Sequence, residues 1–518
     1  MNSDRRILVL GIHLFFVAAF VISALHAPLG DWGNYYFGSK AFSQGNGIRI
    51  YDPVFFNRFV ADSDQRHFFL SYTQIPPLSL LFYLPFSFFK VHFARLLWTV
   101  LGTLFFAFSL TRLFQHLKID VRWSLLLPLI FFLPLRSDFD LGQSYLFLIA
   151  LLAEGWMARE KGHLVLAAFC FALAIHLKIF PAILLIWLMA EKDWKMLGRT
   201  ILLVILLFAV SLPLIDWHIW KLYVLEILPR LAKGEINNTF AISYQSVNVL
   251  LKNIFVRDGL HNPGAAFNHP LAYEIGKMIW AGIVLAVAFL FSSDKKQDSF
   301  LRFSIWILAG MLISGYGSSY GLLQLVFLAM AIFSCSTISN TKKILLLVIM
   351  TCIANIPIQF FLTLSIPLSF PRLFFLLLLF AFLIFVFRPQ WNRFAFLFFL
   401  FPLLSFFTYQ RDDDGSAYFL SREPSLLITD LETDHENVIY SYLDVDGLHR
   451  VALPFSESIA VVSMLDYDAH CIHCNGEDYY FPYEQISKPI LINGKDLLYL
   501  SDKNRGVGFY TIRILKIK

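Results

Sequence analysis

Long apolar runs follow one another from Ile7 to about residue 409, without the strict alternation of a half-buried strand. Beyond that point the runs become short, with Gly, Asp and Asn between them. A membrane crossing needs roughly 20 apolar residues, fewer where protein shelters it. A span must be a helix or a closed barrel, because lipid offers backbone groups no partner. Continuous runs select helices. The candidate spans are 7–27, 75–89, 93–114, 123–135, 142–158, 163–190, 199–217, 272–291, 300–314, 321–335, 344–363, 372–388 and 394–409. The run 123–135 gives only ~20 Å of helix. The predicted architecture is an all-α polytopic membrane domain over residues 1–409 with about 11–13 transmembrane helices, then a small β-rich domain over 410–518.

Charge sets the orientation. Arg5 and Arg6 precede the first run and no small-residue cleavage site follows it, so it reads as a retained helix with its N-terminus inside. The inner loops then hold Lys90 and Arg95, Arg136, Lys192, Lys195 and Arg199, Lys295 and Lys296, Lys342 and Lys343, and Arg388 and Arg393. Two outer loops break the rule, one with Arg112, Lys118 and Arg122, the other with Arg159 and Lys161. Loops 28–74 and 218–271, the turn from Ser314 to Gly321 and the whole tail fall outside. Long loops gathered on one face build a site or cover it.

Composition narrows the class. The chain is 58% hydrophobic, with 56 Phe, 15% charged residues and a mean hydropathy of +0.63, which excludes an ordinary soluble domain. A net charge of +5 with no long basic run gives no nucleic-acid partner. Cys170, Cys335 and Cys352 lie singly in apolar runs as packing residues. Cys471 and Cys474, in Cys-Ile-His-Cys, read as a disulfide if the tail is outside, or as two free thiols.

The first outer loop opens with Gly30-Asp31-Trp32-Gly33-Asn34-Tyr35-Tyr36, which sets Asp31 at the water boundary. Asp31 to Gln44 forms a helix in this reading, with Tyr36, Phe37 and Phe42 toward the bilayer surface and Asp31 either capping it or acting as a base. Tyr51-Asp52-Pro53 is a turn, and Tyr72-Thr73-Gln74-Ile75-Pro76-Pro77 leads into the next run. Leu141-Gly142-Gln143 opens another helix. His176 and Lys178 lie deep in an apolar run that Pro181 kinks, where a cation faces a cavity, meets an anion such as phosphate, or snorkels to an interface. In loop 218–271, Asn237-Asn238-Thr239 and Ser243-Tyr244-Gln245-Ser246-Val247-Asn248 offer hydrogen bonds suited to sugar hydroxyls. Asp412 to Asp414 form an acidic linker.

Taken together, these residues resemble glycosyltransferase family 87 over about residues 1–390: Asp31 with Tyr35 and Tyr36, Gly45, Tyr51-Asp52, Tyr72 with Pro76-Pro77-Leu78, Leu141-Gly142-Gln143, Leu177-Lys178-Ile179-Phe180-Pro181, and Gln245-Ser246-Val247-Asn248. The turn Ser314 to Tyr320 lacks the His and the Pro-containing stretch that the family often carries there. The resemblance implies a GT-C fold and an inverting hexosyltransferase. It would move a sugar, mannose first among them, from a polyprenyl-phosphate donor to a hydroxyl of a glycan, glycolipid or protein acceptor. The setting it implies is the outer side of a bacterial inner membrane.

Such a reaction needs a carboxylate to take the acceptor proton and a cation to balance the leaving phosphate. Asp31 is the expected base, with Asp52, Asp138 and Asp140 as rivals. The last two fall on the inner side of the map. Lys178 and His176 are the expected phosphate ligands, and Tyr35, Tyr36, Tyr72, Gln143, Gln245, Asn248 and Tyr320 the substrate contacts. No metal or other cofactor is expected. The alternatives are another GT-C activity with a different lipid-linked donor, or a flippase or transporter of lipid-linked sugar, although the chain shows no half-molecule repeat.

Overall fold

The computed structural model describes residues 3–517, apart from 64–69, 73–74, 234–239, 259–260, 404–416, 420–426, 435, 445–446, 455–461, 469, 475, 482–483 and 504–507. The Asn237 segment and the acidic linker at Asp412 lie outside the described residues.

The body is helical, and several apolar helices mark it as a membrane protein. Among the described residues, three helices are long and apolar enough to cross a bilayer: Val91–His116, Trp194–Ser211 and Pro270–Ser293. Two bent pairs raise the number to five, Gly11–His26 with Asp31–Ser43 and Phe132–Leu141 with Tyr145–Glu160. The expected 11–13 exceeds this because many runs are broken into pieces. Leu164–Leu177, Ser299–Ile313 and Pro371–Phe387 are apolar helices of fewer than 18 residues.

Run 75–89 corrects the map. Tyr51 Oη donates to Ile75 O at 2.7 Å, and Tyr36 Oη donates to Phe89 O at 2.8 Å. Both partners belong to loop 28–74, so the run leaves and rejoins the same face and does not cross. It is apolar because it is buried in protein; Leu80 and Tyr83 are inaccessible to solvent. Pro76, Pro77 and Pro85 break it into short turns.

Losing that crossing shifts every loop up to 162, and the run 163–190, expected as one span, restores the count by reaching the Asp31 cluster at Lys178 and returning to Asp193 beside Arg159. Val91–His116 now runs away from the Asp31 face. Its far end meets the end of Tyr145–Glu160, where Arg112 pairs with Glu154 at 3.0 Å. Arg112, Lys118, Arg122, Arg159 and Lys161 thus join the cationic loops on the opposite face. Arg159 pairs there with Asp193, and Lys295 with Glu191. The two exceptions to the charge rule disappear. In exchange, Lys90, Arg95 and Arg136 move to the Asp31 face, where the Arg95 guanidinium donates to the carbonyls of Ala27, Pro28, Phe139 and Asp140.

The segment 123–141 returns as a broken passage, and Phe132–Leu141 packs along the first helix through Phe20 against Phe139. Asp138 and Asp140 therefore share the Asp31 face instead of lying opposite it.

The tail is a small antiparallel β domain. One sheet has five strands in the order Ala417–Tyr418, Thr511–Lys516, Asp496–Ser501, Ile486–Ile492, Val462–Met464. Two three-stranded sheets comprise Leu427–Thr433, Asn437–Asp444 and Gly447–Pro454, and Asp466–Asp468, Cys471–Cys474 and Glu477–Tyr480. Cys471 and Cys474 stand three apart on one strand. Successive side chains alternate faces, so the two point to opposite faces and do not bridge.

The tail is docked on the loops. Buried Arg230 pairs with fully buried Asp502 at 2.9 Å, Gln485 donates to Glu226, and Gly508 packs on Pro53. Helix Pro53–Asp62 also lies against strand Leu427–Thr433. Tail, loop 28–74 and loop 218–271 thus occupy one face of the body.

Candidate active site

Asp31 is the first residue of helix Asp31–Ser43, preceded by Gly30 at φ +52°. It does not cap the helix with its side chain; its carboxylate sits at the positive end of the peptide dipoles. The opposing strand of chain is Leu141-Gly142-Gln143, where Gly142 has φ +62°. A Cβ on Gly30 would stand 2.8 Å from Leu141 Cδ2, and one on Gly142 2.7 Å from Trp32 Cβ. The two glycines let these corners interlock, which brings Gln143 onto Asp31.

The Gln143 amide joins the central groups. Its Nε2 donates to Asp31 Oδ2. Its Oε1 accepts from Tyr35 Oη at 2.7 Å and from Lys178 Nζ at 3.1 Å. Lys178 Nζ also donates to Tyr35 Oη at 3.0 Å. These bonds use two of the three ammonium protons. Asp31 and Tyr35 are four residues apart and share a helix face.

Lys178 gets its position from the break after helix Leu164–Leu177. It is extended, at φ −147° and ψ 134°, ahead of the turn holding Pro181. Pro181 cannot bond the carbonyl four residues earlier. Ser79 Oγ serves the freed carbonyls, lying 2.9 Å from His176 O and 3.4 Å from Leu177 O. The run 75–89 thus holds the broken segment in place.

An aromatic wall completes the cluster. Tyr83 stacks on Tyr35 at 4.4 Å, and Tyr145 lies 5.4 Å from Lys178 Nζ by ring centroid. Tyr320 packs on Tyr145 at 5.3 Å. Asp138 is buried behind it and accepts from Tyr145 N at 3.2 Å.

Asp31, Tyr35, Gln143 and Lys178 are therefore brought together, with Tyr320 one ring away. The other expected site residues are not. His176 contacts Val204 O at 3.1 Å and Trp220, on the far side of its helix. His176 lies on the helix and turns to Val204 O, whereas Lys178 leaves the helix in extended backbone toward Gln143, so the two do not meet. Tyr36 and Phe37 are buried in protein instead of facing the bilayer, with Tyr36 bonded to Phe89 O. Tyr72 is fully buried against Tyr51. Gln245 braces Ser369 O and Arg372 N, and Asn248 donates to Ile313 O.

Among the rival carboxylates, Asp52 caps helix Pro53–Asp62 through Val54 N and Phe55 N. Asp140 accepts from Ser23 Oγ at 2.7 Å and from Arg136. Tyr83, Tyr145 and the Ser79 brace were missed in the sequence. Each lies in a run read as lipid-facing helix, and a polar residue recurring inside such a run was the available signal.

This polar cluster, at the face of a membrane-embedded helical body, coincides with a family match. Residues 72–315 match the model of glycosyltransferase family 87, the family that the sequence resembles. Over that segment the sequence is similar to glycosyltransferase family 87. The match includes Gln143 and Lys178, starts after Asp31 and is narrower than residues 1–390. No curated protein matches the chain.

Proposed function

We propose that this membrane glycosyltransferase takes its sugar from a polyprenyl-phosphate donor, mannose first among the candidates, and passes it to an acceptor hydroxyl with inversion. The observation that carries this reading is the Gln143 bridge, which fixes a carboxylate and an ammonium on one amide. Among the described residues, Asp31 Oδ1 has a long contact with Asn34 Nδ2 at 3.5 Å, which leaves it for the acceptor hydroxyl. The hydroxyl proton passes to Asp31 as its oxygen bonds to the anomeric carbon. The bond from that carbon to the phosphate oxygen breaks, and the electron pair leaves with polyprenyl phosphate. The remaining Lys178 proton meets the departing phosphate, whose growing charge needs a cation and not an acid.

A GT-C fold suits this chemistry, with the Asp31 face and the β domain outside a bacterial inner membrane. The short loops support that orientation: those on the opposite face hold pairs such as Lys295 and Lys296 or Lys342 and Lys343, whereas the turns 314–321 and 356–371 on the Asp31 face hold no Lys or Arg. Purified protein given a panel of polyprenyl-phosphate sugars and acceptors should release free polyprenyl phosphate. Release from nucleotide sugars alone would overturn the donor assignment. Movement of intact lipid-linked sugar across proteoliposomes without cleavage would replace transfer by transport.

A further inference from the structure

The tail carries a set of side chains unrelated to the Asp31 cluster. Strand Cys471–Cys474 lies between Asp466–Asp468 and Glu477–Tyr480 in a three-stranded sheet. Its side chains divide between two faces. Ile472 and Cys474 point into the domain core with Phe481, Ile486 and Leu491. Cys471 and His473 share the other face. The register sets Asp478 opposite His473 on one neighbouring strand and Asp466 opposite His473 on the other. Cross-strand partners share a face, so four groups able to ligate a metal converge on one side of this small sheet.

Three of them are already gathered. One ligand atom from each of Cys471, His473 and Asp478 lies within 4.8 Å of the other two. His473 Nδ1 sits 2.6 Å from Asp478 Oδ1. Cys471 is 2% exposed, while the His473 and Asp478 side chains are about half exposed, at 50% and 48%. A buried sulfur under an open imidazole–carboxylate pair gives an ion a floor and an entry path.

We propose that Cys471, His473 and Asp478 hold a divalent cation of the zinc class. Thiolate, imidazole and carboxylate together suit a borderline ion, whereas magnesium and calcium favour oxygen-only sets. Binding displaces the thiol proton and the hydrogen shared by His473 and Asp478. Three protein ligands leave a fourth position, which Asp466 fills from the adjacent strand or water occupies. The ion would tie the strands of a sheet whose cysteines form no disulfide. It belongs to the tail and takes no part in the transfer chemistry.

The test is cobalt titration of the full chain in detergent, stripped with chelator and kept reduced. Wild type should bind one cobalt with a thiolate-to-cobalt charge-transfer band, and zinc should abolish that band. Cys471→Ser and His473→Ala should lose the band. Cys474→Ser, which alters the core face, should keep it, and this separates ligation from folding. Monodisperse elution and an unchanged circular dichroism spectrum qualify each variant. Absence of a thiolate band in wild type, its survival in Cys471→Ser, or its dependence on Cys474 would overturn the proposal.

Discussion

Gln143→Leu keeps the volume at position 143 and removes the bridge. Three hydrogen bonds are lost: to Asp31, from Lys178 and from Tyr35. Bonds to charged groups contribute roughly 1.5–3 kcal/mol each and a neutral one about 1 kcal/mol. The freed carboxylate and ammonium then attract one another. At a separation near 4 Å and an effective dielectric near 20, that attraction is about 4 kcal/mol. It is enough to pull Lys178 onto Asp31 and leave a direct ion pair. The pair restores much of the lost stability, so the fold should survive. It also occupies the oxygen meant for the acceptor proton and draws the cation from the phosphate. A displacement of about 1 Å costs on the order of 100-fold in rate. The kcat for polyprenyl phosphate release should therefore fall about 100-fold or more, with far less change in donor KM. Wild-type kcat in Gln143→Leu, in protein that elutes and melts as wild type does, would refute the reasoning.

Three further outcomes follow from other parts of the molecule. Asp52→Ala removes the cap of helix Pro53–Asp62 and should lower stability by about 0.5–2 kcal/mol in thermal unfolding while turnover per folded molecule stays unchanged; a collapse of turnover would make Asp52 the base. Asp502→Asn removes the fully buried carboxylate that pairs with Arg230 at 2.9 Å and should loosen the docked tail to limited proteolysis, with unchanged protection counting against the contact. Burial pushes the Glu191 carboxyl up, but hydrogen bonds and charge from Lys295 and Arg302 outweigh it and hold the carboxyl below its usual range. Its stabilisation is thus fully present above the ordinary glutamate value of about 4.3 and is lost as pH falls through the lower folded value. The melting advantage of wild type over Glu191→Gln should be complete at neutral pH and vanish in acid; an advantage that grows in acid would reverse the sign.

Much of this was legible in the chain. Asp31 and Tyr35, four apart at a loop-helix start, share a face on spacing alone, and Lys178 before a proline marks a broken helix. Leu141-Gly142-Gln143 reads as a helix start, and the structure adds that this corner meets Asp31. The strands at Asn437–Asp444 and Asp496–Ser501 cover the β-type runs around Ile439 and Leu498. The run 75–89 misled because burial in protein and burial in lipid select the same residues, and only the partners of Ile75 and Phe89 tell them apart. That single error in parity put Asp138 and Asp140 on the wrong face. His176 was not separable from Lys178 in the sequence, because the helix ends between them and turns the two side chains apart. The buried roles of Tyr36, Tyr72 and Gln245 depend on distant backbone carbonyls, which one sequence does not reveal.

The most direct measurement is donor binding beside donor cleavage for wild type and Asp31→Asn. Asparagine keeps the shape and the contact with Gln143 but cannot take the acceptor proton. Asp31→Asn should bind polyprenyl-phosphate mannose as wild type does and release polyprenyl phosphate about 10²- to 10⁴-fold more slowly. Equal release by the two proteins would contradict Asp31 as the base.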